Sequence, residues 1–148
     1  MKQNILLKTS ILFIALFVLI EGLQITGGLD YLYMQIENLG LDLYNPWIFS
    51  IISIVLSNAV SNVPAVMLLV AKMPTDSIAL HYLLSLMSTL AGNLILVGSI
   101  ANLIVAENAV RENIPFTFRN HMRWTAPIAI VSIVIGFGWW LIMSSMSG

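Results

Sequence analysis

Two short polar clusters interrupt an otherwise apolar chain, and their residue types set the chemistry open to it. The first is Ser57-Asn58-Ala59-Val60-Ser61-Asn62-Val63-Pro64, a doubled Ser-Asn pair closed by proline. The second is Gly92-Asn93, followed by Gly98-Ser99 and Asn102. Amides and hydroxyls offer oxygen acceptors and N–H or O–H donors without net charge. They suit reversible binding of a small ion, with oxygens for a cation such as sodium and donors for an oxyanion. An unpaired polar group in apolar surroundings costs roughly 2–7 kcal/mol, so a membrane chain carries such residues at depth where something polar binds. Covalent chemistry has no comparable candidates. No cysteine is present, His81 and His121 form no ligand pattern, and no Ser/His/Asp or His-Glu-x-x-His arrangement occurs. The chain is expected not to be an enzyme and to need no cofactor beyond a possible sodium ion.

The elements that must position these clusters follow from composition. Of 148 residues, 59% are hydrophobic and 9% charged, against about 25% charged in soluble domains. An all-α integral membrane fold is predicted. Net charge is −1, which gives no reason to expect nucleic acid as a partner; the bilayer is the expected one. The apolar run before Glu21 predicts a first transmembrane helix over residues 1–28, and no small-x-small cleavage site follows its basic start. Residues 29–45 are acidic and aromatic, as suits the membrane interface. The first cluster divides segment 46–72 into two pieces, each near half a bilayer thick at 1.5 Å per residue. Pro64 fits the first turn of the second piece. A re-entrant hairpin is therefore predicted over 46–72, with its tip at the Ser-Asn pairs. Region 77–109 is too long for one straight span and carries the second cluster, so a helix unwound around 91–98 is predicted there. An interfacial helix over 114–124 and a last transmembrane helix over 126–143 complete a single membrane domain of about three spans, one of them broken, plus the hairpin.

Topology supports the hairpin. Lys2 and Lys8 put the N-terminus in the cytoplasm by the positive-inside rule. If 46–72 turns back, Arg111, Arg119 and Arg123 also fall inside, only Lys72 lies outside, and the C-terminus is outside. If it crosses, the arginines fall on the wrong face. The expected location is the plasma (inner) membrane.

The clusters also carry a resemblance. Ser57-Asn58-x-x-Ser61-Asn62-Val63-Pro64, with Ala91-Gly92-Asn93-Leu94-x-Leu96-x-Gly98-Ser99-x-Ala101-Asn102-Leu103-Ile104-x-x-Glu107, resembles the ion transporter superfamily of arsenite/antimonite pumps, citrate-type permeases and divalent anion:sodium symporters. The opening Phe13-x-x-Leu16-Phe17-x-x-x-Glu21-Gly22-Leu23-x-x-Thr26-Gly27 is similar to the start of that family's C-terminal half. The resemblance implies one half of an inverted repeat, in which a hairpin tip (Ser57, Asn58, Ser61, Asn62) and an unwound loop (Gly92, Asn93, Gly98, Ser99, Asn102) bind a small anion, with sodium held by Asn58, Asn62 and Asn93. Helix 114–124 resembles the arm joining the family's moving and static domains. The implied function is half of a secondary active transporter coupled to sodium or protons. The alternatives are an arsenite/antimonite efflux permease and a non-transporting accessory or truncated half. The implied partner is a second chain supplying the N-terminal half, or further copies of this one.

Overall fold

The structure, a computed structural model, describes the backbone of residues 2–146 and the side chains of these except 2–6, 8–10, 12, 13, 97 and 100. All regular elements among the described residues are helical. Where a single domain over 1–148 is expected, the chain divides into two compact units, Met1–Asp42 and Leu43–Gly148.

In the first unit, α1 (Lys2–Ile25) is mainly apolar, with Lys2, Lys8 and Glu21 as its charged residues. Thr26 Oγ1 donates to the Gly22 carbonyl at 2.7 Å and closes its last turn. Gly27 follows in the left-handed region at φ 72°, which costs glycine no Cβ strain, and redirects the chain into α2 (Gly28–Asn38). Segments Ile14–Ile25 and Gly28–Asn38 are bent by 73° at this break.

The second unit opens with α3 (Pro46–Val60). Its start is a local signal: the Asn45 side chain accepts from the Trp47 N–H at 3.0 Å, and Pro46 takes the first helical position. The helix stops at Ser61, whose φ 76° and ψ 156° are not helical, and α4 (Asn62–Val70) begins directly after it with Pro64 in the first turn. Helix α4 packs on α3, and both pack on α5 (Ile78–Ala91). At 1.5 Å per residue, α3 and α4 are about 22 and 14 Å long, each short of a hydrocarbon core of about 30 Å.

After α5 the chain leaves the α-helix for a turn at 92–95, a 3-10 turn at Leu96–Gly98 and an extended Ser99, then enters α6 (Ile100–Arg111). The 3-10 turn packs against α3, α6 and the last helix, α7 (Phe118–Met146). Phe49, Leu69, Leu80, Leu83, Leu84, Met87 and Phe137 form the core of this unit. Trp140 Nε1 donates to the Ala79 carbonyl at 2.7 Å and ties α7 to the first turn of α5. A Cβ at Gly136 would lie 3.0 Å from Leu90 Cδ1 and 3.2 Å from Leu86 Cδ2, so glycine lets α7 approach α5 closely.

One expectation needs correction. An interfacial helix over 114–124 followed by a separate span over 126–143 is replaced by the unbroken α7, and 114–117 are not helical. Thr117 caps the start of the helix: its Oγ1 accepts from the Asn120 N–H at 3.2 Å, as an N-cap does. Pro127 lies inside the helix without ending it, since the loss of one backbone bond is tolerated in a long apolar helix. By length and composition α7 can cross a membrane, and the bent α1–α2 pair passes the same test as one span. Helices α5 and α6, the two parts of the expected broken span, are each shorter than a full crossing.

Candidate functional site: the hairpin turn and the helix break

Ser50, Ser53 and Ser57 recur along one buried face of α3. The first two satisfy themselves locally: Ser50 Oγ donates to the Pro46 carbonyl and Ser53 Oγ to the Phe49 carbonyl, each at 2.7 Å, the usual i−4 bond of a helical serine. Ser57 departs from this pattern. Its side chain is fully buried, and its Oγ has no hydrogen-bond partner. The same holds for Asn58 Oδ1 and Ser61 Oγ. Asn58 Nδ2 donates to the Ile54 carbonyl at 2.9 Å; a carbonyl can only accept, so the amide nitrogen is committed there and the oxygen is left over.

The helix break supplies the opposite wall. Gly98 is buried, and a Cβ on it would lie 2.8 Å from Asn58 Oδ1 and 3.1 Å from the Gly92 carbonyl oxygen. Only a residue without a side chain lets the break approach Asn58 this closely. Asn102 Nδ2 donates to the same Gly92 carbonyl at 3.0 Å, pinning the start of α6 to the end of α5. Gly92 is buried as well; a Cβ there would meet the Gly98 carbonyl oxygen at 3.4 Å and Ser99 Cβ at 3.6 Å.

The structure thus joins Asn58, Gly92, Gly98, Ser99 and Asn102, with Ser57 and Ser61 next to Asn58 in the hairpin turn. The other two predicted residues stand apart. Asn62 Oδ1 accepts from the Val63 N–H at 2.9 Å, and Asn93 is exposed in the turn after α5. Of the three predicted sodium ligands, Asn58 alone combines burial with an uncommitted oxygen.

Both elements also end helices here. Carbonyls at the ends of α3 and α5 and N–H groups at the starts of α4 and α6 lack intrahelical partners, which gives each turn a partly negative and a partly positive face. Ser61 adds strain: φ 76° with ψ 156° is a region essentially confined to glycine and costs a serine about 1–3 kcal/mol. Such conformations cluster at binding and switch sites. Neutral oxygens beside helix ends can hold a hard monovalent cation, and the N–H groups a small oxyanion.

A second polar feature lies between α4 and α5. A cavity of about 310 Å³ is lined by Asn62, His81, Ser85, Ser88 and Thr89 among apolar residues. Ser85 and Thr89 are absent from the sequence-predicted site, although the spacing of four in His81, Ser85 and Thr89 was a usable signal for one helix face. His81 Nδ1 lies 2.8 Å from the Ser77 carbonyl and must donate to it. His121 is buried near the start of α7 beside Phe116, with no partner for Nε2.

Sequence comparison gives relatives for this arrangement. The transporter arsB of Dictyostelium discoideum is 36% identical over 132 residues, covering 84% of this chain and 23% of the relative. A silicon efflux transporter of Oryza sativa subsp. japonica is 33% identical over 139 residues, covering 85% of this chain and 29% of the relative. The chain is similar to a part of each of these two transporters. It spans only about a quarter of the length of these relatives, 23% of one and 29% of the other. No protein-family model matches the chain, and no solved structure does. The paired Ser-Asn and Gly-Asn motifs of this chain are the parts that form the hairpin turn and the helix break.

Proposed function

We propose that this chain forms one half of a secondary active transporter for a small anion, coupled to sodium or protons, with its site where the α3–α4 turn meets the α5–α6 break. The observation that carries this reading is the set of buried, unpartnered oxygens on Ser57, Asn58 and Ser61, with Asn58 Oδ1 held against Gly98. Three such oxygens left unsatisfied would each cost about 1–3 kcal/mol, and a bound cation repays that cost. No carboxylate lies in the turn, so the bound cation needs a counter-charge, which an anionic solute at the N–H ends of α4 and α6 supplies. Loss of the cation then weakens the anion, and that coupling makes a symporter. In this reading α3–α4 is a re-entrant hairpin, α5–α6 is a broken span, and the remaining half comes from a partner chain or a second copy.

The test is thermal unfolding of the purified chain in sodium against potassium chloride at equal ionic strength. A ligand that binds only the folded state raises the midpoint, so sodium should raise it, and Asn58→Ala should remove the increment. Identical midpoints in the two salts for the unaltered chain overturn sodium binding.

A second reading has its own support. The relatives are named for arsB and for silicon efflux, which favours export of a small metalloid species through the same turn and break. Growth on arsenite and antimonite, with and without the gene, separates it from anion symport. A non-transporting half is separated from both by reconstitution: flux with a companion chain and none without it marks a split transporter.

A further inference from the structure

We propose that the groove between α4 and α5 is a water-filled access path, by which a small hydrated solute reaches the hairpin turn from the end of the unit where residues 71–77 join the two helices. The proposal rests on the binding site above for its destination, but on separate observations for its existence. His81, Ser85, Ser88 and Thr89 occupy one face of α5, and all four line the same cavity of about 310 Å³, which also contains Asn62 at the start of α4. Eight residues of helix separate His81 from Thr89, about 12 Å, and the volume matches roughly ten water molecules at about 30 Å³ each.

The deciding contrast lies in what the hydroxyls do. Helical Ser and Thr in apolar surroundings bond back to a carbonyl one turn earlier, and Ser50, Ser53 and Thr125 each do so at 2.7–2.8 Å. Ser85 and Thr89 are exposed, and among the described residues neither hydroxyl has a hydrogen bond. Hydroxyls facing lipid would be left unsatisfied; hydroxyls facing water are not. His81 adds a fixed polar ring at the far end, held by Nδ1–H donation to the Ser77 carbonyl. The opposite wall, Val63, Val66, Met67 and Val70, is apolar, so a solute passing along it meets polar contacts on one side only and is not trapped.

The chain contains no cysteine, so each single-cysteine variant carries one thiol. Ser85→Cys and Thr89→Cys, with Val134→Cys on the exposed face of α7 as the lipid-facing control, are placed in phosphatidylcholine nanodiscs. They are then treated with a trimethylammonium-bearing methanethiosulfonate reagent, which reacts with thiols in water and does not enter lipid. Mass spectrometry reads the rate. Modification of S85C and T89C at least tenfold faster than V134C is expected, slowed when Met67→Trp fills the opposite wall. Rates equal to that of V134C, whether from lipid or from a partner helix covering the groove, overturn the proposal. The same labelling in an Asn58→Ala background should be unchanged, so failure of the path and failure of the binding site are read independently.

Discussion

Asn58 Oδ1 and Gly98 share one space: a side-chain carbon on Gly98 would lie 2.8 Å from the amide oxygen. The contact joins the hairpin turn to the helix break, and it sets the first prediction. Gly98→Ala must displace either Asn58 or the Gly92 carbonyl, which the same carbon would meet at 3.1 Å. Overpacking of this kind costs about 1–3 kcal/mol. Thermal unfolding should show that loss, together with loss of any sodium-dependent increment.

Ser53 and Ser57 should respond in opposite directions. Both are fully buried, but only Ser53 spends its hydroxyl on a helix carbonyl. Ser53→Ala forfeits that bond, worth about 0.5–1.5 kcal/mol, and leaves solute binding intact. Ser57→Ala removes an unpartnered hydroxyl and should stabilise the solute-free chain by about 1 kcal/mol while weakening binding. Paired melts with and without sodium measure both effects; equal behaviour of the two variants would remove Ser57 from the site.

Ser61→Gly tests the strain in the turn. Glycine adopts φ 76° and ψ 156° freely, which relieves about 1–3 kcal/mol, and its greater unfolded-state entropy takes back roughly 0.5–1 kcal/mol. A net gain of about 1 kcal/mol in stability is expected from denaturant unfolding, with weaker solute binding because Oγ is gone. Ser61→Val, bulky and β-branched, should destabilise instead.

Asn102→Leu removes the 3.0 Å bond across the break to the Gly92 carbonyl. The expected loss in stability is about 1 kcal/mol. Its signature is local: hydrogen exchange at residues 92–99 should quicken while exchange in α3 and α5 stays as it was. Uniform acceleration throughout would mean that the bond supports the whole unit rather than the break.

Much of the architecture was legible from short-range signals. Asn45-Pro46 opens α3, and Pro64 sits in the first turn of α4, because caps and proline act within one helical turn. The polar clusters marked the hairpin turn and the helix break, since glycine, asparagine and serine at apolar depth mark places where helices end. Thr117 is a cap of the same local kind, and it starts α7.

Sequence alone was enough for an apolar, helical, charge-poor chain with two neutral polar clusters, because composition and cap chemistry are properties of neighbouring residues. The fold settled which members of those clusters meet. Asn58 turns its oxygen to Gly98, Asn62 closes on its own neighbour, and Asn93 faces outward. Helical period puts Asn58 on a face of α3 but does not say what that face meets, and in the turn after α5 no fixed period tells which way a side chain points. In the turn at 92–99 that direction comes from a bond to Asn102 and a contact with Asn58, residues that folding alone brings alongside.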